Sequence, residues 1–168
     1  QEPLLGLGPE ADTQTPTALH ALLRADVDDE DGTGDGSGRR SGRRLHGFLR
    51  DQRTIAGIGR RLANEVCHRA RLSPFAPVGR LDADDATRLA EAIGACVAEG
   101  LAFERGRDDM SASRDRPGAV HHRGGEECPT CGDVVRTVTY RSYEVAYCAT
   151  CQTGGKILAD NTTSRFLK

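Results

Sequence analysis

Two cysteine pairs carry the clearest chemistry in these 168 residues. Cys128 and Cys131 are two residues apart, as are Cys148 and Cys151, with sixteen residues between the pairs. Each pair can place two sulfurs on one tight turn, and two such turns complete a tetrahedron around a metal ion. Gly132 follows the first pair, where the knuckle backbone needs conformational freedom. Four thiolates suit one zinc ion and leave no open coordination position, so the metal is expected to be structural rather than catalytic. The rival chemistries, disulfides or a redox pair, lack support. No basic stretch followed by an apolar one opens the chain, and no βαβ pattern surrounds the motif. Cys67 and Cys96 fall within helical patterns and read as small core residues.

A second chemistry is anion binding. Gly57-Ile58-Gly59 stands directly before a helical pattern. Glycines allow close backbone approach, and the free N–H groups of a first helical turn attract a phosphate. Arg60 and Arg61 add positive charge at the same point. Of the 23 Lys and Arg residues only Lys156 and Lys168 are lysines. Arginine forks grip phosphate oxygens in pairs, whereas attack on a sugar carbon needs an amine. The amines on offer are those two lysines and Gln1, whose amine tends to be lost by cyclisation.

The elements that would position these groups are short. Residues 1–14 read as a linker with Pro3, Gly6, Gly8 and Pro9. Thr15-Pro16 reads as an N-cap and first helical residue, followed by Ala18, Leu19, Leu22 and Leu23 at helical spacing. Residues 28–42 are rich in Asp, Gly and Ser and are expected to be a disordered insert. Leu45, Phe48 and Leu49 predict a short helix ending near Gln52, and a second helix runs from about Arg60 to Ala70, ended by Ser73-Pro74. Asp82 is the expected N-cap of a longer helix carrying Ala86, Leu89, Ala90, Ile93, Val97 and Leu101 on one stripe, and reaching about Phe103. Residues 105–119 read as a mobile loop. Val134, residues 137–140 and residues 145–147 favour strands around the cysteines. The expected fold is mainly α with a small zinc-stapled β-hairpin: a helical domain over 15–104 and a zinc finger over 120–168.

Charge divides along the same line. Nine acidic residues stand against Arg24 alone up to Asp35, a net of −8, while the remainder holds 22 basic and 16 acidic residues, a net of +6. An acidic leader on a mildly basic body fits a polyanionic partner and equally fits ordinary solubility. No apolar run approaches the roughly 20 residues a membrane helix needs, and the expected location is the cytoplasm, with the nucleoid.

Taken together, these residues resemble the C-terminal half of the formamidopyrimidine-DNA glycosylase and endonuclease VIII family. Residues 49–59, then Ala63-Asn64-Glu65 and Arg69-Ala70, look like its helix–two-turn–helix signature. Val120, Arg123, Gly124 and Gly125, the four cysteines and Gln152 look like the approach to its finger and the finger itself. Leu7-Gly8-Pro9-Glu10 is similar to its interdomain linker. The family excises oxidised bases and nicks the backbone by an AP lyase reaction. The resemblance therefore implies binding of double-stranded DNA carrying a lesion or an abasic site, with contacts from Gln52, Gly57, Ile58, Gly59, Arg60, Arg61, Arg141 and Tyr143. The departures matter. The family's nucleophile is an N-terminal proline followed by glutamate on a β-sandwich domain, and Gln1-Glu2-Pro3 is not that motif. Arg60 stands where the family has Asn, and Tyr143 where its finger has a phosphate-gripping arginine, with Arg141 two residues earlier. The reading is a DNA-binding half that is catalytically silent alone. The alternatives are a fragment of an active bifunctional glycosylase/AP lyase and a zinc-stapled protein-interaction adaptor.

Overall fold

The computed structural model describes residues 6–29, 42–109 and 115–158. Five helices and one two-stranded antiparallel sheet are present among them: α1 (Pro16–Asp29), α2 (Leu45–Arg50), α3 (Arg60–Arg69), α4 (Ala83–Arg105), β1 (Val135–Thr139), β2 (Glu144–Cys148) and α5 (Ala149–Gln152). The mainly helical fold with a C-terminal hairpin is as the sequence predicts. Most of the insert expected over 28–42, and part of the loop expected over 105–119, lie outside the described residues.

Local chemistry sets most element ends. The Thr15 hydroxyl accepts from the Ala18 N–H, capping α1. Asp82 and Asp85 form a reciprocal capping box that starts α4. The start of α3 is different: Gly59 is its N-cap and offers no side-chain acceptor, so the first N–H groups of that helix face outward. Its C-terminus is also unexpected. The helix stops at Arg69 because Arg71 adopts a left-handed conformation (φ 55°), not because of Ser73-Pro74. The Leu72 N–H reaches the Cys67 carbonyl and the Arg71 N–H that of His68, which closes the helix as a Schellman turn.

Leu19 and Leu23 of α1, Phe48 and Leu49 of α2, Ile55 and Ile58 of the turn, Val66 and Cys67 of α3, and Leu89 and Ile93 of α4 form one apolar core. The stripe predicted on α4 enters this core through Ile93, Val97 packs at its edge, and Leu101 is exposed. Cys67 is buried there and Cys96 half-buried at its border; burial pushes both thiols up, Cys96 to about 11, so neither is a thiolate at neutral pH. Residues 8–11 run beside residues 52–56: the Gly8 N–H bonds the Gln52 carbonyl, and Glu10 forms a parallel bridge with Ala56. A Cβ on Gly8 would collide with the Arg53 and Thr54 carbonyls. No helix among the described residues is long and apolar enough to cross a membrane.

The hairpin pairs Val135 with Cys148 and Thr139 with Glu144, leaving a four-residue tip, Tyr140 to Tyr143. Four successive β2 residues, Val145 to Cys148, are buried: Ala146 and Cys148 pack with Val120, Cys128 and Val135 in one cluster, and Tyr147 packs with Val138, Phe75 and Leu158 in another.

A left-handed arginine is strained where glycine is not. Arg71→Gly is therefore expected to stabilise the protein by about 0.5–1 kcal/mol, read as a higher denaturant midpoint at unchanged slope.

Candidate nucleic-acid interface and metal centre

The four cysteine sulfurs, brought together from the turn before β1 and from the end of β2 into α5, lie within 4.8 Å of one another. Cys128 and Cys151 are 3.9 Å apart and Cys131 and Cys148 3.4 Å, spacings close to the edge of a tetrahedral sulfur cage. The four sulfurs could hold one metal ion. The surroundings support the cluster: the Cys128 carbonyl accepts from Gly132, which sits at φ 79° in the knuckle, and the Gln152 amide bridges the Cys148 N–H to the Leu72 carbonyl. His68, on α3 and buried, places Nε2 3.2 Å from the Cys128 sulfur.

Helix α3 holds this finger by one row of polar side chains. Glu65 accepts three backbone N–H groups, from Ala119, Val120 and His121, at 2.7, 3.1 and 2.8 Å. Asn64, fully buried, accepts from the Ala146 N–H of β2 and pairs with Nδ1 of His121. Gly118 packs so closely on Glu65 that a Cβ there would lie 2.9 Å from its Oε1. The chain segment leading to the finger is thus clamped to the same helix whose N-terminus forms the glycine turn.

That turn is braced from within. The Gln52 amide donates to the Arg50 and Ile58 carbonyls and accepts from the Gly57 N–H, so it shapes the turn from an exposed position. Gly57 sits at φ 93°, a conformation that requires glycine. The Ile58 side chain is fully buried; only its backbone belongs to the surface chemistry. Gly59 is extended, and a Cβ built on it meets nothing within 4 Å. Arg60 is exposed. Arg61 reaches across to the Pro117 carbonyl at 2.5 Å and is half-buried in the cleft.

The hairpin tip closes over this turn. Tyr143 lies with its ring 4.2 Å from the Arg50 guanidinium and 5.9 Å from that of Arg60. It stacks on Tyr140 at 4.8 Å and on buried His46 at 5.9 Å. Arg141 is exposed at the tip. An open cleft of about 1030 Å³ results, lined by Gly57, Gly59, Arg60 and Arg61 on one side and by Tyr140 and Tyr143 on the other. The sequence places Arg60, the glycines and Tyr143 in this group. It misses Arg50, His46 and Tyr140, since no local signal couples the end of α2 to a hairpin more than ninety residues later.

A relative from Mycobacterium tuberculosis (strain ATCC 25618 / H37Rv), described as an "uncharacterized formamidopyrimidine-DNA glycosylase-like protein", is 42% identical over 127 residues, which are 74% of this chain and 80% of that relative. The chain belongs to the formamidopyrimidine-DNA glycosylase family. The formamidopyrimidine-DNA glycosylase of Thermus thermophilus is 38% identical over 128 residues, 70% of this chain and 47% of that enzyme. The crystal structure of the MutM (Fpg) protein of that organism superposes with a TM-score of 0.66 at 32% identity, over 92% of this chain and 56% of that one. The fold is also that of Lactococcus lactis Fpg bound to DNA containing an AP site, with a TM-score of 0.69 at 19% identity over 88% of this chain and 50% of that one. The chain spans about half the length of the glycosylases it matches. No family model matches it.

Within this family half, His46 is held neutral. Burial, then the charge of Arg50, lowers its pKa to about 4. Its folded value thus lies below its unfolded one, so its contribution is complete above pH 6.5 and is lost as pH falls toward 4. By pH 5 the loss is about 2 kcal/mol. Thermal melts of His46→Phe are expected to depend less on pH between 7 and 5 than those of the wild type.

The ligand set has its own test. Cys131→Ala should lose stoichiometric metal and the slow amide exchange of the hairpin, while the helical circular dichroism persists, because the core of α1–α4 contains no ligand. Retention of one metal ion at wild-type affinity would refute the four-cysteine assignment.

Proposed function

We propose that this chain is a DNA-binding half of the glycosylase kind: it grips double-stranded DNA at an abasic or damaged site, depends on one structural zinc ion, and performs no base excision alone. The observation that carries this reading is the convergence of the glycine turn, Arg60 and the hairpin tip on one open cleft, with Arg50 packed on the Tyr143 ring. The division into linker (1–14), helical domain (15–104), connecting loop (105–119) and finger (120–168) belongs to the same proposal, with action at the nucleoid in the cytoplasm.

A backbone phosphate fits against Gly59 and the first N–H groups of α3, where the helix dipole favours negative charge. Arg50 and Arg60, held against the Tyr143 ring, and Arg141 at the tip supply guanidinium groups for flanking phosphates. Gln52 and Ile58 serve this grip through the shape of the turn, and Arg61 through its hold on Pro117. Zinc would be held by Cys128, Cys131, Cys148 and Cys151 and would tie the two knuckles together. With all four positions filled by sulfur it has no place for substrate. The L. lactis neighbour was crystallised on DNA containing an AP site, which supports the choice of ligand. Chemistry at the sugar would need an amine. Among the described residues Lys156 is the single lysine, placed in the turn after α5, where its backbone is tied to Thr153.

Gly59→Val isolates the phosphate grip, because the added side chain meets open space within the protein but occupies the phosphate's approach. The variant should melt like the wild type and bind duplex DNA at least about tenfold more weakly, a change of about 1.4 kcal/mol. Wild-type affinity should fall steeply with salt. Unaltered binding by Gly59→Val, or a flat salt response, would favour a protein-interaction adaptor. On a duplex with one abasic site, a gel shift without a borohydride-trapped adduct or a nick is the expected result; a trapped adduct would show that an amine of this chain is a working nucleophile.

A further inference from the structure

The hairpin tip holds more aromatic surface than a phosphate grip requires. Tyr140 and Tyr143 bracket the four-residue turn, and the Tyr140 N–H donates to the Tyr143 carbonyl at 2.8 Å, which fixes the two residues side by side. Their rings are 4.8 Å apart and within 13° of parallel. Tyr143 is also stacked on His46, within 10° of parallel, and carries the Arg50 guanidinium. Among the described residues the stack runs from the protein interior, where His46 is 3% exposed, out to Tyr140, which is 40% exposed and lines the cleft beside Gly57, Gly59 and Arg60. A stack anchored in the interior and presented to the cleft at its other end is extended by one more flat ring.

We propose that the Tyr140 end of this stack is a binding site for an unpaired nucleobase. The inference rests on the DNA-binding reading above and names the DNA feature that is selected: a base without a partner, as at a gap or opposite an abasic site, in preference to fully paired duplex. Paired bases keep both faces inside the helix and have none to offer. An unpaired base next to a phosphate held at the α3 N-terminus has a free face and is short of stacking partners. The surrounding guanidinium groups of Arg50, Arg60 and Arg141 favour a ligand that carries phosphate and disfavour a cationic one. Aromatic stacking accepts any base, so the site selects for exposure of a base and not for its sequence.

The test uses the full zinc-loaded chain and two duplexes of equal length, one fully paired and one with 2-aminopurine opposite an abasic site. Fluorescence anisotropy gives the two affinities, and 2-aminopurine emission reports stacking. The wild type is expected to prefer the unpaired-base duplex by about 5- to 150-fold, the range of one base stacked on one ring, and to quench the 2-aminopurine on binding. Tyr140→Leu should lose both the preference and the quenching, so that it binds the two duplexes equally. Tyr140→Phe should keep both. Equal wild-type affinity for the two duplexes, or a preference that survives in Tyr140→Leu, would overturn the stacking site and leave the phosphate grip intact. Absence of binding to either duplex would overturn the DNA-binding reading itself.

Discussion

The Glu65 carboxylate accepts three successive backbone N–H groups at residues 119–121, and the place of everything after α4 depends on it. A carboxylate that satisfies three donors is held by charge-assisted bonds, each stronger than a neutral one. It fixes the chain just before the finger begins. Asn64 adds a bond to β2 and His68 a contact to a metal-binding sulfur, one and three residues either side of Glu65 on the same helix. A finger with its own metal site would otherwise swing on the loop after α4. Clamped to α3, its tip is delivered to the N-terminal end of that helix, which is the end with free N–H groups.

The two cores are correspondingly separate in origin. The helical core is built from leucine, isoleucine and valine contributed by every helix up to α4. Among the described residues the finger buries Val120, Val135, Ala146, Cys128 and Cys148 in one small cluster, and Val138, Tyr147 and Ala149 in another, against which Phe75 and Leu158 pack. So little apolar surface does not hold a two-stranded hairpin in water, and a metal ion held by the four cysteines, as proposed, would supply what the core lacks. The polar row on α3 then joins two units that are stabilised by different physics.

Around the cleft, Arg50 and Arg60 come from the helical domain and Tyr140, Tyr143 and Arg141 from the finger. Tyr143 cannot grip a phosphate as an arginine would, but its ring faces hold Arg50 and limit where that side chain can go. An arginine positioned in advance loses less freedom on binding than one free in solvent. If Tyr143 stands where the family has an arginine, as the resemblance implies, the proposed grip keeps its positive charge beside the tip through Arg50.

What the sequence determined by itself is local. The Cys-x-x-Cys pairs, the caps at Thr15 and Asp82, the strand propensities around the finger and the glycine turn before α3 each depend on residues within about ten positions of one another, and each is found where it was read. The helix–two-turn–helix and finger motifs also carried the family. Tertiary structure decided the rest. That Gln52 braces the turn depends on the Ile58 carbonyl lying within its reach. Arg61 is turned toward Pro117 by a loop more than fifty residues away. Arg71 ends α3 in a conformation no propensity favours, because the Leu72 and Arg71 N–H groups find their carbonyl partners only there. Arg50 and Tyr143 meet because α3 sets the register between the turn and the hairpin. Such contacts are properties of the packed elements, and no window of sequence contains both partners.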